Sequence, residues 1–328
     1  MKDQVVLTGI KPTGVLHLGN WAGAIRPAVE LSHKSGLKAY FFIADYHALI
    51  SSKSPDKLRE YTYGAAATWI ALGLDPSQVV FYRQSDIPEV FELNWILACF
   101  SPKGLMNRAH AYKMQMQNNP TIDVNMGLYA YPILMAADIL IMNSNWVPVG
   151  SDQQQHVEIT RDLAHRFNRQ YHTEVFTLPE ALMSLAGVVI PGLDGRKMSK
   201  SYDNTIPIFA PPEQLRKLIF HITTNSSVIH DRKDEETSTI FQLYQLFSTP
   251  EQMEVLKIQY QTGIAWGDAK EGLYSLLEAQ LREPREHYET LMKDPQELER
   301  VLREGASQAR EVASKTLERV RHTLGIRR

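Results

Sequence analysis

Short apolar, β-branched runs recur along the first part of this chain, at Gln4 to Thr8 (Q-V-V-L-T), Ala39 to Ala44 (A-Y-F-F-I-A) and Val79 to Arg83 (V-V-F-Y-R), with helix-length segments between them. Runs of this kind suit strands buried on both faces, and their alternation with helices predicts an α/β fold built on a Rossmann-like parallel sheet. Ser54 to Leu72 supplies one covering helix, with Ser54 as cap, Pro55 at the first position, and Leu58, Tyr61, Ala65, Trp69 and Leu72 at helical spacing. The segment after the first strand puts Ala22, Ile25 and Val29 on one face, but Pro27 is expected to kink it or end its first part. Trp146 to Val149 reads as a further strand. Ser151 and Gln154 then have capping-box spacing for a helix whose buried stripe is Ile159, Leu163 and Phe167.

From about Tyr202 the strands give way to helical periodicity, with helix starts at Thr249-Pro250-Glu251 and Asp294-Pro295-Gln296. Leu298, Val301, Leu302, Ala309, Val312, Leu317, Val320 and Leu324 form a sustained apolar stripe. A length of 328 residues suffices for a full core and a second, smaller unit. The predicted division is therefore an α/β part, 1–201, and an all-helical part, 202–328. Lys and Arg total 35 against 37 Asp and Glu, so any nucleic-acid contact must use local patches. One such excess lies in the last helix, where Arg310, Lys315, Arg319, Arg321, Arg327 and Arg328 outweigh Glu311 and Glu318. They meet a nucleic-acid backbone or form a solvated face. The single cysteine, Cys99, excludes an internal disulfide and a Cys-based zinc cluster, and is expected to pack as a small hydrophobe. The start, M-K-D-Q-V-V, has no apolar signal core, and the longest apolar run, Pro132 to Met142, is interrupted by Asp138. A cytoplasmic chain with no membrane span is expected.

Six stretches carry chemistry. Lys11 to Asn20 (K-P-T-G-V-L-H-L-G-N) follows the first strand, where a strand-turn-helix presents backbone N–H groups and Gly19 admits a phosphate or base. The plainer reading is a connection whose His17 bonds locally. Asp45-Tyr46-His47 stands at the carboxyl end of the second strand, a place for ligands or for a buried Asp–His pair. Pro102 to Pro120, with Lys103, Arg108, His110 and Lys113, is polar and irregular, and its cations meet phosphate or water. In Gly127 to Met142 a lone carboxylate, Asp138, must find a cation, donors or a ligand. Tyr131, Met135 and Asp138 share one helical face, which lines a pocket unless Asp138 is merely a capping or salt-bridged residue. Asp152, Gln153 and His156 open the helix after Gly150, facing a ligand or water. Gly192 to Ser201 (G-L-D-G-R-K-M-S-K-S) sets Arg196, Lys197 and Lys200 in a glycine-bearing loop able to close over a polyphosphate.

Lys197 to Ser201 matches the KMSKS signature of class I aminoacyl-tRNA synthetases letter for letter, and Lys11 to Asn20 resembles their HIGH signature. Between them, Tyr131 to Leu140 (Y-P-I-L-M-A-A-D-I-L) and Val147 to Asn168 resemble bacterial-type tryptophanyl-tRNA synthetases, and the likeness covers essentially the whole chain. The resemblance implies activation of L-tryptophan by ATP to the adenylate, release of pyrophosphate, and transfer to tRNA(Trp). It implies catalytic roles for His17, Asn20, Lys197 and Lys200. ATP contacts would add Lys11, Thr13, Gly19, Gly150, Asp152, Gln153, Val189, Met198, Ser199 and Ser201. Asp138 would accept the indole N–H, Met135, Val147 and Val149 would flank the ring, Tyr131 and Gln153 would hold the amino group, and Leu7 and His47 would complete the tryptophan site. Mg2+ would arrive on the ATP phosphates, with no metal site in the protein itself.

The helical part would read the anticodon, its last helix, about 296–325, packing back on the catalytic domain, and the chain would work as a homodimer. A tyrosyl-tRNA synthetase and a catalytically silent RNA-binding or regulatory paralogue are the rivals. Where the commoner pattern has a glutamine, this chain has Lys11; D-Q-H-A becomes Asp45-Tyr46-His47-Ala48; R-M-T-Q-F-K becomes Arg108-Ala109-His110-Ala111-Tyr112-Lys113; and a lysine is replaced by Gln115. The polar surroundings of the substrate's amino and carboxylate groups are expected to differ accordingly, with Lys113 as a phosphate contact.

Overall fold

Five parallel strands carry the fold. β1 (Gln4–Ile10), β2 (Leu37–Ile43), β3 (Val80–Arg83), β4 (Trp146–Val149) and β5 (Glu180–Met183) lie in the order β3-β2-β1-β4-β5. The computed structural model describes residues 4–107, 125–150, 153–183 and 189–326. Val6 pairs with Ala39 on one side and Trp146 on the other, so the strand order reverses at β1. In an open α/β sheet the carboxyl ends of the strands at such a reversal form a crevice for ligands. β5 was not foreseen: Glu-Ala-Leu-Met has no β-branched residue and is held as a strand by its pairing with β4.

By packing, the chain forms two units, one of Met1–Gly14, Ala28–Ser184 and Leu291–Arg328, the other of Val15–Pro27 and Leu185–Thr290. The first unit holds the sheet. Its helices include α3 (Asp45–Ala48), α4 (Pro55–Ala71), α5 (Glu89–Phe100), α6 (Lys103–Met106), α7 (Met126–Ile141), α8 (Gln154–Gln170) and α13 (Pro295–Leu324), with α1, α2 and α9 to α12 given below. Ser54 caps α4 as expected, its Oγ accepting from the Lys57 N–H. Ile159, Leu163 and Phe167 of α8 are buried, but Gln153 is the N-cap and its side chain makes no capping bond. Gln154 is thus the first helical residue, too early for its part in the expected box, and Ser151 lies outside the described residues. Cys99 is exposed within this chain, because the buried face of α5 runs through Val90, Leu93, Ile96 and Leu97.

α13 begins at Asp294, whose carboxylate caps the Glu297 N–H, and crosses β3 so closely that a Cβ on Gly305 would stand 1.8 Å from the Phe81 carbonyl oxygen. Arg83 secures the crossing by bonding both Glu299 and Asp86, and its hydrogen bond is the main cause pulling the Glu299 carboxyl down to about 2 against the opposing effect of burial. The basic residues of this helix are partly committed. Arg310 bonds Glu89 at 3.0 Å, Arg321 pairs with Glu92, and Arg319 donates to Asn143 at 2.7 Å.

The second unit begins with α1 (Leu18–Asn20), which runs through a wide turn over Trp21–Ile25 into α2 (Arg26–Ser32), a helix whose residues from Ala28 on belong to the first unit. There the Arg26 N–H reaches back five residues to the Trp21 carbonyl. The expected break at Pro27 is thus a change of helical register, which absorbs the missing proline N–H while Ala22, Ile25 and Val29 stay buried. Trp21 stacks on Phe247 at 4.8 Å, and Arg26 donates to the Leu246 carbonyl. α9 (Pro212–Phe220), α10 (Thr239–Phe247), α11 (Pro250–Thr262) and α12 (Trp266–Lys293) build this unit's helices. Thr249 and Gln252 form the capping box of α11.

Candidate active site

The two signature segments meet in the second unit. His17 forms an antiparallel bridge with Pro207, the Leu18 N–H donates to the Ile206 carbonyl, and the Gly19 N–H donates to the Met198 sulfur at 3.3 Å, although 179 residues separate them. A Cβ on Gly19 would fall 2.9 Å from His17 Nδ1, so the glycine lets the imidazole lie flat against its own backbone. Asn20 Oδ1 accepts the His17 N–H. The imidazole is buried, and its Nδ1 has no partner among the described residues. Burial, and secondly the charge of Lys200, pull its pKa from 6.5 down to about 4, so it is neutral at pH 7.

The lysine loop is built on Asn204, which the sequence analysis missed. Its buried amide donates to Asp194 Oδ1 (2.7 Å) and the Lys197 carbonyl (3.1 Å) and accepts the Ser199 N–H (2.8 Å). Met198 is buried, whereas Lys197 and Lys200 are exposed and make no ion pair among the described residues. Arg196 does not add to that positive charge as expected, because it is paired with Asp194 at 2.6 Å and lies over the Tyr202 ring. Partial desolvation lowers the Lys200 pKa from its ordinary value. Ser199 and Ser201 bond each other through their hydroxyls, and Val189 is exposed.

The first unit gathers a second group at the carboxyl ends of its strands. Asp138, on α7, is buried and satisfied from two sides: His47 Nε2 stands 3.0 Å from Oδ2, and Gln84 Nε2 2.9 Å from each oxygen. Burial pushes its carboxyl pKa up, and the bonds from His47 and Gln84 act against that rise. Asp45 and His47 are both buried, but they do not pair with each other. Asp45 Oδ1 accepts the Tyr46 and Ser85 N–H groups, which leaves His47 for Asp138. The His47 ring meets Tyr131 edge-on at 6.2 Å, the Tyr131 hydroxyl bonds the buried His156 ring, and Lys11 Nζ lies 5.8 Å from the Tyr131 ring centre. Leu7, Val147 and Val149 are buried in the same apolar cluster, against which the half-buried Met135 packs. The Gln153 N–H donates to the Gly150 carbonyl, and that of Thr13 to Lys11. Asp152 and Arg108, Ala109, His110, Ala111, Tyr112, Lys113 and Gln115 lie outside the described residues.

The first unit thus holds a parallel sheet whose strand order reverses at β1, the architecture of an α/β enzyme, and the second a neutral histidine at a glycine-opened helix start beside a loop whose two exposed lysines make no ion pair among the described residues. Residues 1–282 match the model of the class I tRNA synthetases (W and Y), and the chain belongs to that family. A tryptophan–tRNA ligase of Pseudomonas putida is 49% identical, covering 98% of this chain and 74% of the relative. That of Neisseria meningitidis is 48% identical over 100% of this chain and 99% of its own. Among solved structures, the Campylobacter jejuni tryptophanyl-tRNA synthetase complexed with ADP and tryptophan superposes with a TM-score of 0.90 at 43% identity, covering 98% of this chain and all of the other.

Proposed function

We infer that the chain joins L-tryptophan to tRNA(Trp) at the expense of ATP, as a bacterial-type tryptophan–tRNA ligase. A tryptophan carboxylate oxygen attacks the α-phosphorus of ATP, pyrophosphate leaves, and the terminal adenosine hydroxyl of the tRNA then attacks the activated carbonyl and releases AMP. The carboxylate is already a nucleophile, so the protein has to position reactants and neutralise charge, without a covalent catalyst of its own. Lys197 and Lys200 meet the departing pyrophosphate, and the neutral His17 and Asn20 donate to the nucleotide. Thr13, Gly19, Gly150, Asp152, Gln153, Val189, Met198, Ser199 and Ser201 complete the ATP contacts, and Lys11 brings a cation. Mg2+ is carried in by the ATP phosphates as part of the substrate.

Asp138 selects the amino acid, and its burial among apolar side chains carries that reading. A carboxylate there accepts an indole N–H with the capacity that His47 and Gln84 leave, and a phenyl ring, which lacks that donor, is disfavoured by roughly 10- to 100-fold rather than the roughly 10⁴-fold expected of an otherwise unpaired acceptor. Leu7, His47, Met135, Val147 and Val149 surround the ring, and Tyr131 with Gln153 holds the amino group. The helical part, 202–328, reads the anticodon and the chain acts as a homodimer. No helix among the described residues is long and apolar enough to cross a membrane. Asp138→Ala is expected to weaken tryptophan binding roughly 10- to 100-fold, the span of a charge-assisted hydrogen bond, and to leave ATP binding within a factor of two. Equal losses for both ligands in calorimetric titration would make Asp138 a structural residue.

A further inference from the structure

Gln84 is among the few fully buried polar side chains, and no step described so far uses it. It sits in the 3₁₀ turn Gln84–Asp86, directly after β3, at the same end of the sheet as His47 and the Asp138 end of α7. Its Oε1 accepts the Tyr46 N–H at 3.2 Å, while its Nε2 stands 2.9 Å from both oxygens of Asp138, 54 residues away. Those neighbours fix the amide orientation. Turned over, the amide would set its own N–H groups against the Tyr46 N–H and its oxygen against a carboxylate. The Tyr46 N–H is itself steadied by Asp45 Oδ1, which also takes the Ser85 N–H and so ties the ends of β2 and β3 together. A donor is therefore held permanently against Asp138 by the backbone of two strand ends.

Resting on the reading of Asp138 as the indole acceptor, we propose that Gln84 is a specificity-determining positioning residue, whose amide holds the Asp138 carboxylate as an acceptor-only group aimed at a ring N–H. A carboxylate has about four lone-pair sites. Gln84 and His47 occupy some of them from the protein side, leaving capacity for one ligand donor. With no donor in place of Gln84, Asp138 keeps only His47, turns more freely and takes up a proton more readily in its apolar surroundings, and either change weakens it as an acceptor. Residues that serve only packing would show no dependence on whether the ligand carries an N–H.

The test compares L-tryptophan with L-3-benzothienylalanine, in which sulfur replaces the indole N–H, in ATP–pyrophosphate exchange. In Gln84→Met the KM for tryptophan is expected to rise about 10-fold, the scale of one hydrogen bond to a charged group. The KM for the sulfur analogue and for ATP, and kcat with tryptophan, are each expected to change by less than about two-fold. Gln84→Glu, near in volume but setting a second acid against Asp138 so that the two must share a proton, is expected to show the same split. Equal losses on tryptophan and analogue, no loss on either, or failure of both variants to fold would make Gln84 a packing residue and overturn the proposal. Absence of tryptophan-dependent exchange in the parent chain would instead overturn the functional reading. A parent that does not prefer tryptophan to the analogue would overturn the role of Asp138.

Discussion

His17 illustrates how one residue joins the chemistry to the stability of the fold. Its pKa is about 4 in the folded chain, first through burial and then through Lys200, against 6.5 for an ordinary histidine. Between those values the unfolded chain takes up a proton that the folded chain refuses, so stability rises with pH across the window. The contribution is complete above 6.5 and is lost as the pH falls towards 4. A gap of that size corresponds to about 3 kcal/mol. In urea unfolding, the stability of the parent relative to His17→Gln is expected to drop by about 2–3 kcal/mol between pH 7 and pH 4; a difference that stays level across that range would contradict the buried, neutral imidazole. The segments that hold His17, Lys197 and Lys200 stood out in the sequence because they are short fixed motifs. Gln84 was not, since Phe81-Tyr82-Arg83-Gln84-Ser85 has no telling spacing and the role arises only where the fold brings Asp138 to it. The Asp45–His47 pairing suggested by proximity in sequence failed for the same reason: backbone N–H groups claim Asp45, and Asp138 claims His47.

Elements were legible where local signals suffice. The three strands foreseen from β-branched runs form to within a few residues, and Ser54, Thr249 and Asp294 cap the helices they announce. β5 escaped because its strand character comes from β4, and the register change before Pro27 has no pattern of its own in the sequence. The crossing of α13 over β3 likewise depends on one position. Gly305→Ala would force a methyl against the Phe81 backbone, where no flexible side chain can yield, and is expected to cost about 2–4 kcal/mol. Gly272→Ala, within α12 and with nothing within 4 Å, serves as the control and is expected to stabilise by about 0.5–1 kcal/mol through helix propensity. Urea unfolding of the two variants measures both. A Gly305→Ala variant as stable as its parent would mean that α13 does not lie against β3 as described.

At the scale of the whole molecule, the chain segregates its chemistry. The KMSKS loop and the HIGH-like helix start fall in one compact unit, and Asp138 with His47 and Gln84 falls in the other. A sequence read in order divides naturally near residue 201, where strands stop. The packed units instead interleave along the chain, because 15–27 pairs with residues around Ile206 and Ile208. Such long-range backbone pairing has no local signature. The functional assignment was legible early, because the KMSKS and HIGH-like segments and the stretches between them resemble one family, to which residues 1–282 are matched. Amino-acid-dependent ATP–pyrophosphate exchange, run with tryptophan, with tyrosine and with neither, tests it most directly. Exchange with tryptophan and only background with the other two is predicted; exchange driven by tyrosine alone, or by neither amino acid, would contradict it.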